Sequence, residues 1–66
     1  MKVSVNGEKV DARDARTVAD LVHRLQFPVQ TILIEHNGVA LRRNEWPERP
    51  LHEGDRIELL RVVAGG

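Results

Sequence analysis

The spacing of apolar residues along this chain changes from every second residue to a helical spacing, and then changes back. Near the start, Val3 and Val5 alternate with polar residues, as in a strand that buries one face. Asn6-Gly7 follows, and this dipeptide favours the positive φ angles of a two-residue hairpin turn. Alternation then resumes over residues 8–12. The first twelve residues therefore predict a β-hairpin.

Residues 17–26 have the spacing of an amphipathic helix. Their apolar side chains recur at i, i+3, i+4 and i+7 and form one stripe. Thr17 suits the N-cap, and Asp20 three residues later completes a capping-box pattern, T-x-x-D. Pro28 cannot continue a helix and disfavours helical geometry in the residue before it. We therefore expect the helix to end near Gln26.

Three more apolar runs predict strands. Residues 32–34 and 39–41 flank a second turn signal, Asn37-Gly38, and a last strand is expected over residues 57–63. The polar segment 42–50 is typical of a loop or a short 3₁₀ turn. The order of elements is strand, strand, helix, strand, short strand, strand.

This order predicts an α+β domain over residues 1–63, with one main helix packed across a mixed sheet of four to five strands. A right-handed crossover through the helix would make it a β-grasp, or ubiquitin-like, arrangement. We expect a single core formed by ten apolar residues. They are Val3, Val5, Val18, Leu21, Val22, Leu25, Ile32, Ile34, Ile57 and Leu59.

The small size of the domain bears on its function. A chain of 66 residues has a marginal core, with little room for an enclosed substrate pocket of about 300–1,000 Å³. We therefore expect a protein that is not an enzyme. Cysteine is absent, and the histidines His23, His36 and His52 fall on different segments without ligand-spaced partners. They are interpreted as surface histidines, and no metal site is expected.

Charge and hydropathy argue against two classes of partner. Ten basic and ten acidic residues are interspersed, so no basic stripe for nucleic acid is expected. No apolar run approaches the roughly 20 residues needed to span a bilayer. The sequence has no charged segment leading into an apolar signal core, and we expect a cytoplasmic protein.

The chemistry is expected in the last residues, Ala64-Gly65-Gly66, which we interpret as a flexible tail. At average glycine usage, a chain ends in two glycines by chance in about 0.5% of cases. The simplest alternative to a functional tail is a frayed chain end, where glycine costs nothing. However, glycines without Cβ can slide through a narrow channel, and the Gly66 carboxylate is ionised at neutral pH. Attack by that carboxylate on the α-phosphate of ATP would give an acyl-adenylate. The tail has no acid, base or metal ligand, so a partner must supply catalysis.

Taken with this tail, the sequence resembles the ThiS-type sulfur-carrier proteins of thiamine biosynthesis along nearly its whole length. The matching motifs are the N-terminal strand entering N-G, T-V-x-x-L-V (17–22), I-L-I-E-H-N-G-V (32–39), R-x-x-W (43–46), E-G-D-R-I-E-L-L (53–60) and the terminal V-V-A-G-G. The resemblance implies that Gly66 is adenylated by an E1-like enzyme, which uses ATP, and is converted to a thiocarboxylate. It further implies a sulfur-donating enzyme and delivery of the sulfur to thiazole synthase. The chain itself is expected to bind no cofactor and to be a monomer when free.

Other functions stay open at this point. The small subunit of molybdopterin synthase and other sulfur carriers resemble the same fold and tail, although the former usually carry insertions. A ubiquitin-like modifier would be joined to lysines through Gly66. An interaction module with an inert tail is a third class.

Several other side chains are candidates for partner contacts. If Ile57 and Leu59 face the helix, alternation sends Leu60 and Val62 to the opposite face, where they would dock the activating enzyme or pack on the neighbouring strand. Arg61, with other arginines, would steer acidic partners or form a solvated face. Trp46 is interpreted as a cover for the edge of the core, with a partner hot spot as the alternative.

Overall fold

The chain forms five β-strands and one α-helix across residues 1–61, the residues that this computed structural model describes. The strands are β1 (Lys2–Val5), β2 (Glu8–Asp11), β3 (Ile32–His36), β4 (Val39–Leu41) and β5 (Arg56–Arg61). The helix α1 (Val18–Leu25) lies between β2 and β3, and two 3₁₀ helices (Val29–Thr31 and Arg43–Glu48) lie in the connections. The last strand starts at Arg56, one residue earlier than expected, and the expected strand residues 62 and 63 lie outside the described part.

The strands form one mixed sheet in the order β2-β1-β5-β3-β4. β1 runs parallel to β5, whereas β2, β3 and β4 pair with their neighbours in antiparallel fashion. The first and last strands are therefore neighbours at the centre of the sheet. This confirms the predicted mixed sheet with one main helix and its β-grasp arrangement.

Both Asn-Gly pairs form the predicted hairpin turns. Asn6 and Gly7 have φ angles of 52° and 85°, and Asn37 and Gly38 have almost the same values, 51° and 85°. Positive φ at both central residues is the type I′ geometry, whose twist matches that of the flanking strands. Asparagine tolerates this conformation better than most residues with a Cβ.

The helix begins with the predicted capping box. The Thr17 hydroxyl accepts a hydrogen bond from the Asp20 N–H at 3.2 Å, and the Asp20 carboxylate accepts one from the Thr17 N–H at 3.1 Å. These bonds satisfy N–H groups that have no partner within the helix. At the other end, Gln26 is left-handed with a φ of 60°, and the helix stops there as expected.

Nine of the ten expected core residues are buried, and Leu25 is half-buried against them. The core also contains residues that the spacing did not predict: Ala12, Ala15, Leu41, Trp46 and Leu51. Trp46 is 4% exposed, which confirms its interpretation as a cover for the core and leaves little of it for a partner. No helix within residues 1–61 is long and apolar enough to cross a membrane.

Candidate functional site

The strand β5 is the last described element before the predicted tail, residues 64–66. Its described part ends at Arg61, and Val62, Ala64, Gly65 and Gly66 lie outside the described residues. The predictions for those four residues therefore stay predictions. The structure does describe the contacts that hold the chain in the sheet as far as Arg61.

β5 is held from both sides. Residues Ile57 to Arg61 pair with β3 in antiparallel register, which covers most of the strand. On the other side, the described register with β1 contains two pairs, Ser4 with Arg56 and Val5 with Ile57. β1 then turns away, so the second half of β5 receives backbone partners from β3 but not from β1 within residues 1–61.

Beyond the end of β1, the Asn6 side chain supplies hydrogen bonds to β5 in place of a strand backbone. Its Oδ1 accepts a hydrogen bond from the Leu59 N–H at 2.7 Å, and its Nδ2 donates one to the Leu59 carbonyl at 3.2 Å. The Asn6 backbone N–H donates to the carbonyl of Ile57 at 2.9 Å. A primary amide has the same kinds of donor and acceptor as a peptide group. The side chain therefore extends the ladder by one more step along β5.

Asn37 contacts the opposite end of the same strand. Its Oδ1 accepts a hydrogen bond from the Arg56 N–H at 2.7 Å, and its Nδ2 donates one to Asp55 Oδ1 at 3.1 Å. The two turn asparagines thus bracket β5, one at its beginning and one near its end.

An apolar pair lies on the sheet face opposite the core. Leu60 is 55% exposed, as the alternation along β5 predicted. It lies directly opposite Leu33 of β3, which is also 55% exposed. The next outward-facing pair along the same two strands is Glu35 with Glu58. This face therefore presents two leucines beside two carboxylates.

Arg61 does not share that face with Leu60. It lies opposite Ile32, a buried residue, and strand alternation therefore places it on the side of the sheet that carries the helix. The predicted docking residues that the structure describes, Leu60 and Arg61, are thus adjacent in sequence but directed to different faces.

His36 corrects one prediction, because it is buried, with 6% of its surface exposed. His23 and His52 are exposed, as expected. The lack of ligand-spaced partners does not indicate exposure, whereas strand alternation does indicate which face a residue occupies. Ile32, Ile34 and His36 occupy every second position, so the third faces the core with the first two.

The buried imidazole is held in a polar network with defined donors. Arg49 Nε donates a hydrogen bond to His36 Nδ1 at 3.0 Å, and His36 Nε2 lies 2.7 Å from Asp55 Oδ2. Because a guanidinium has no acceptor, Nδ1 carries no proton here, and Nε2 donates to the carboxylate. The imidazole is therefore the neutral Nε2–H tautomer.

Asp55 is the acceptor at the centre of this network. Its carboxylate also accepts hydrogen bonds from the Asn37 side chain at 3.1 Å and from the His52 N–H at 2.9 Å. Burial acts to raise the pKa of Asp55, but the hydrogen bonds from His36, Asn37 and His52 outweigh it and hold that pKa below its usual range.

The network lies at the end of β5 that is remote from the tail. His36 pairs with Ile57 near the start of the strand, whereas the residues that precede the tail follow Arg61 in the sequence. The His36 network therefore fixes the segment before β5. Among residues 1–61, no three His, Asp or Glu side chains are grouped so that they could hold a metal ion.

Comparisons with known proteins give a consistent result. The model of the ThiS family matches residues 2–66. The crystal structure of the thiamine biosynthesis protein ThiS from Geobacter metallireducens is similar to this chain, with a TM-score of 0.84 and 28% sequence identity over 100% of both chains.

Two curated relatives are similar over the whole of this chain. The sulfur carrier protein ThiS of Escherichia coli (strain K12) is 26% identical over 66 residues, which are 100% of both proteins. A thiazole synthase of Magnetococcus marinus is 30% identical over 66 residues, and the chain spans 20% of the length of that protein.

Proposed function

The chain belongs to the ThiS family of sulfur carriers in thiamine biosynthesis, and we propose that it carries sulfur as a thiocarboxylate on Gly66. The observation that carries this proposal is the extent of the family match, which runs through the terminal glycines and covers residues 2–66. The fold supports it, because the described part of the chain ends in the central strand β5, five residues before Gly66.

The proposed activation replaces one carboxylate oxygen of Gly66 with sulfur in two displacements. A carboxylate oxygen attacks the α-phosphorus of ATP, the bond from that phosphorus to the bridging oxygen breaks, and pyrophosphate leaves. A sulfide equivalent then attacks the carbonyl carbon of the acyl-adenylate and expels AMP with one of the original oxygens. No electrons are gained or lost by the chain.

The chemical work is assigned to partners. An E1-like adenylating enzyme would bind the ATP, and a sulfur-donating enzyme would supply the sulfide equivalent. In this scheme the chain is a co-substrate rather than an enzyme and binds no cofactor of its own. The small, filled core supports this assignment, since Ile34, Ile57 and Leu21 at its centre are each 1% exposed.

Thiazole synthase is the proposed acceptor of the sulfur. The Magnetococcus marinus relative that is named a thiazole synthase is similar to this chain over one segment, 20% of its own length. A carrier-like segment within a protein of that name supports a working relationship between the two activities.

The exposed leucine pair, Leu33 and Leu60, is the proposed docking surface for the activating enzyme. Each of the two is 55% exposed, and together they form a small apolar surface near Arg61, where the described part of β5 ends. Val62 would continue this surface along the same face. Arg61, on the other face, would contact the partner only where the chain enters its nucleotide site.

Intact mass spectrometry of the protein from its native host tests the proposal. Exchange of oxygen for sulfur on a plain carboxylate adds about 16 Da. We expect this shift in the natural chain. We expect no shift after deletion of Gly66, or after addition of one residue beyond it, with unchanged circular dichroism in both variants.

Two results would contradict the proposal. One is thiazole formation supported by the chain without Gly66 in a strain that lacks the natural carrier. The other is the recovery of the chain linked through Gly66 to lysines of other proteins, with no sulfur-containing form, which would identify a protein modifier instead.

A further inference from the structure

On its β1 side, the second half of β5 is supported by a side chain rather than by a neighbouring backbone. Within residues 1–61, the backbone N–H and carbonyl of Leu59 that face β1 are both bonded to one side chain, that of Asn6. The Leu59 side chain is buried in the core, and Leu60 and Arg61 follow it directly. Asn6 therefore holds the last residue of β5 that is bonded on the β1 side within residues 1–61, whereas Leu60 and Arg61 are paired on the β3 side.

From this geometry we propose that Asn6 is a positioning residue for activation of Gly66. It fixes the direction in which the chain leaves the sheet, so that a docked domain delivers its C-terminus to the partner's nucleotide site. The inference rests on the proposed function, and it concerns a residue 53 positions before Leu59 in the sequence.

The proposed docking surface and the reacting residue, Gly66, are close together along the chain. The proposed docking surface includes Leu60, and the chain that must reach the ATP begins at the next residue. Leu60 and Arg61 are paired on the β3 side alone within residues 1–61, so a shift of β5 at Leu59 would alter the direction of the chain after Arg61 even while Leu33 and Leu60 contact the partner. Reacting groups that are misplaced by about 1 Å can lose about 100-fold in rate.

The chain contains a matched control in Asn37. Both asparagines precede glycine in a type I′ turn, with φ angles of 52° and 51°. Both use a side-chain oxygen to accept a β5 N–H at 2.7 Å. They differ in position, because Asn37 acts on Arg56 at the start of the strand and Asn6 acts on Leu59 near its end.

The test compares Asn6→Gly with Asn37→Gly in the full chain. Glycine keeps the turn conformation and removes both side-chain hydrogen bonds. Adenylation is followed by exchange of labelled pyrophosphate into ATP, catalysed by the purified activating enzyme of the same host, with the chain as the varied substrate. Chemical unfolding of each variant and hydrogen exchange at the Leu59 amide are measured in parallel.

We expect Asn6→Gly to lower kcat about tenfold, with KM changed less than about twofold, because the docking leucines are intact. Exchange at the Leu59 amide should become faster. Asn37→Gly should lose comparable stability and keep kcat within about twofold of the natural chain. If Asn6→Gly does not fold, Asn6→Asp replaces it, because aspartate tolerates the turn and keeps an acceptor for the Leu59 N–H but puts a charged oxygen in place of the donor to the Leu59 carbonyl.

Equal kcat values for the two asparagine variants would overturn the inference and leave the proposed function standing. A natural chain that supports no pyrophosphate exchange would instead refute the proposed function, and the positioning role with it. A rise in KM without a fall in kcat would also overturn the positioning role, since Asn6 would then act on docking.

Discussion

The imidazole Nε2 of His36 lies 2.7 Å from the Asp55 carboxylate, and this buried contact ties the end of β3 to the residue before β5. Arg49 donates to the other ring nitrogen at 3.0 Å and so fixes the tautomer. The loop before β5 is therefore attached to the sheet by side chains as well as by backbone. A hydrogen bond to a charged group is worth about 1.5–3 kcal/mol, so this contact contributes to the stability of the domain.

Acid should weaken the domain through Asp55. The pKa of Asp55 is lowered in the folded chain, so the unfolded chain takes up the proton first as the pH falls. The contribution of Asp55 is complete above its ordinary pKa of 3.8 and is lost as the pH falls through the lower folded value. We expect Asp55→Asn to cost about 2–3 kcal/mol at pH 7 and less below pH 4.

Urea unfolding at a series of pH values from 7 to 3 checks this. Asp14→Asn is the control, because Asp14 is exposed and lies outside the His36 network. A constant difference between the natural chain and Asp55→Asn across the whole series would show that the Asp55 carboxylate is not the group responsible.

The N-cap of α1 gives a second prediction. Thr17→Ala removes the hydroxyl that accepts from the Asp20 N–H, and we expect a loss of about 1 kcal/mol in the free energy of unfolding. Thr31→Ala is the matched control, because its exposed hydroxyl donates to the Pro28 carbonyl rather than capping a helix. Equal losses in the two variants would argue against a special role for the cap.

The two glutamates beside the leucine pair should repel each other. Glu35 lies directly opposite Glu58, and like charges in this position are destabilising. We expect Glu58→Gln to raise the free energy of unfolding by about 0.2–1 kcal/mol at low salt, with a smaller gain at 1 M salt. Glu48→Gln, on the 3₁₀ helix, serves as the control. A gain that is independent of salt would contradict an electrostatic cause.

The proposed docking surface leads to a kinetic prediction. Leu60→Ser removes exposed apolar area from the face that would meet the activating enzyme, and we expect KM to rise about tenfold with little change in kcat. Val39→Ser is the matched control, since Val39 is 48% exposed but lies opposite His36 rather than beside Leu33. Similar KM values for the two variants would mean that docking does not use Leu60.

Local sequence patterns determined most of the elements of this protein. The hairpin at Asn6-Gly7, the capping box at Thr17 and the stop before Pro28 all formed as expected, because each depends on residues only a few positions apart. The same holds for the exposure of Leu60, which follows from alternation along one strand. The functional prediction at Gly66 likewise came from the sequence, through its glycines and the family resemblance.

Tertiary structure decided what depends on contacts between distant residues. Sequence spacing could not show that the Asn6 amide would bond to Leu59, because the pairing of β1 with β5 brings together residues 53 positions apart. Burial of His36 became favourable only because Asp55 and Arg49 supply its hydrogen-bond partners from other parts of the chain. A buried polar group is stable only when the fold brings hydrogen-bond partners to it. A local sequence pattern does not show which distant residues those partners are.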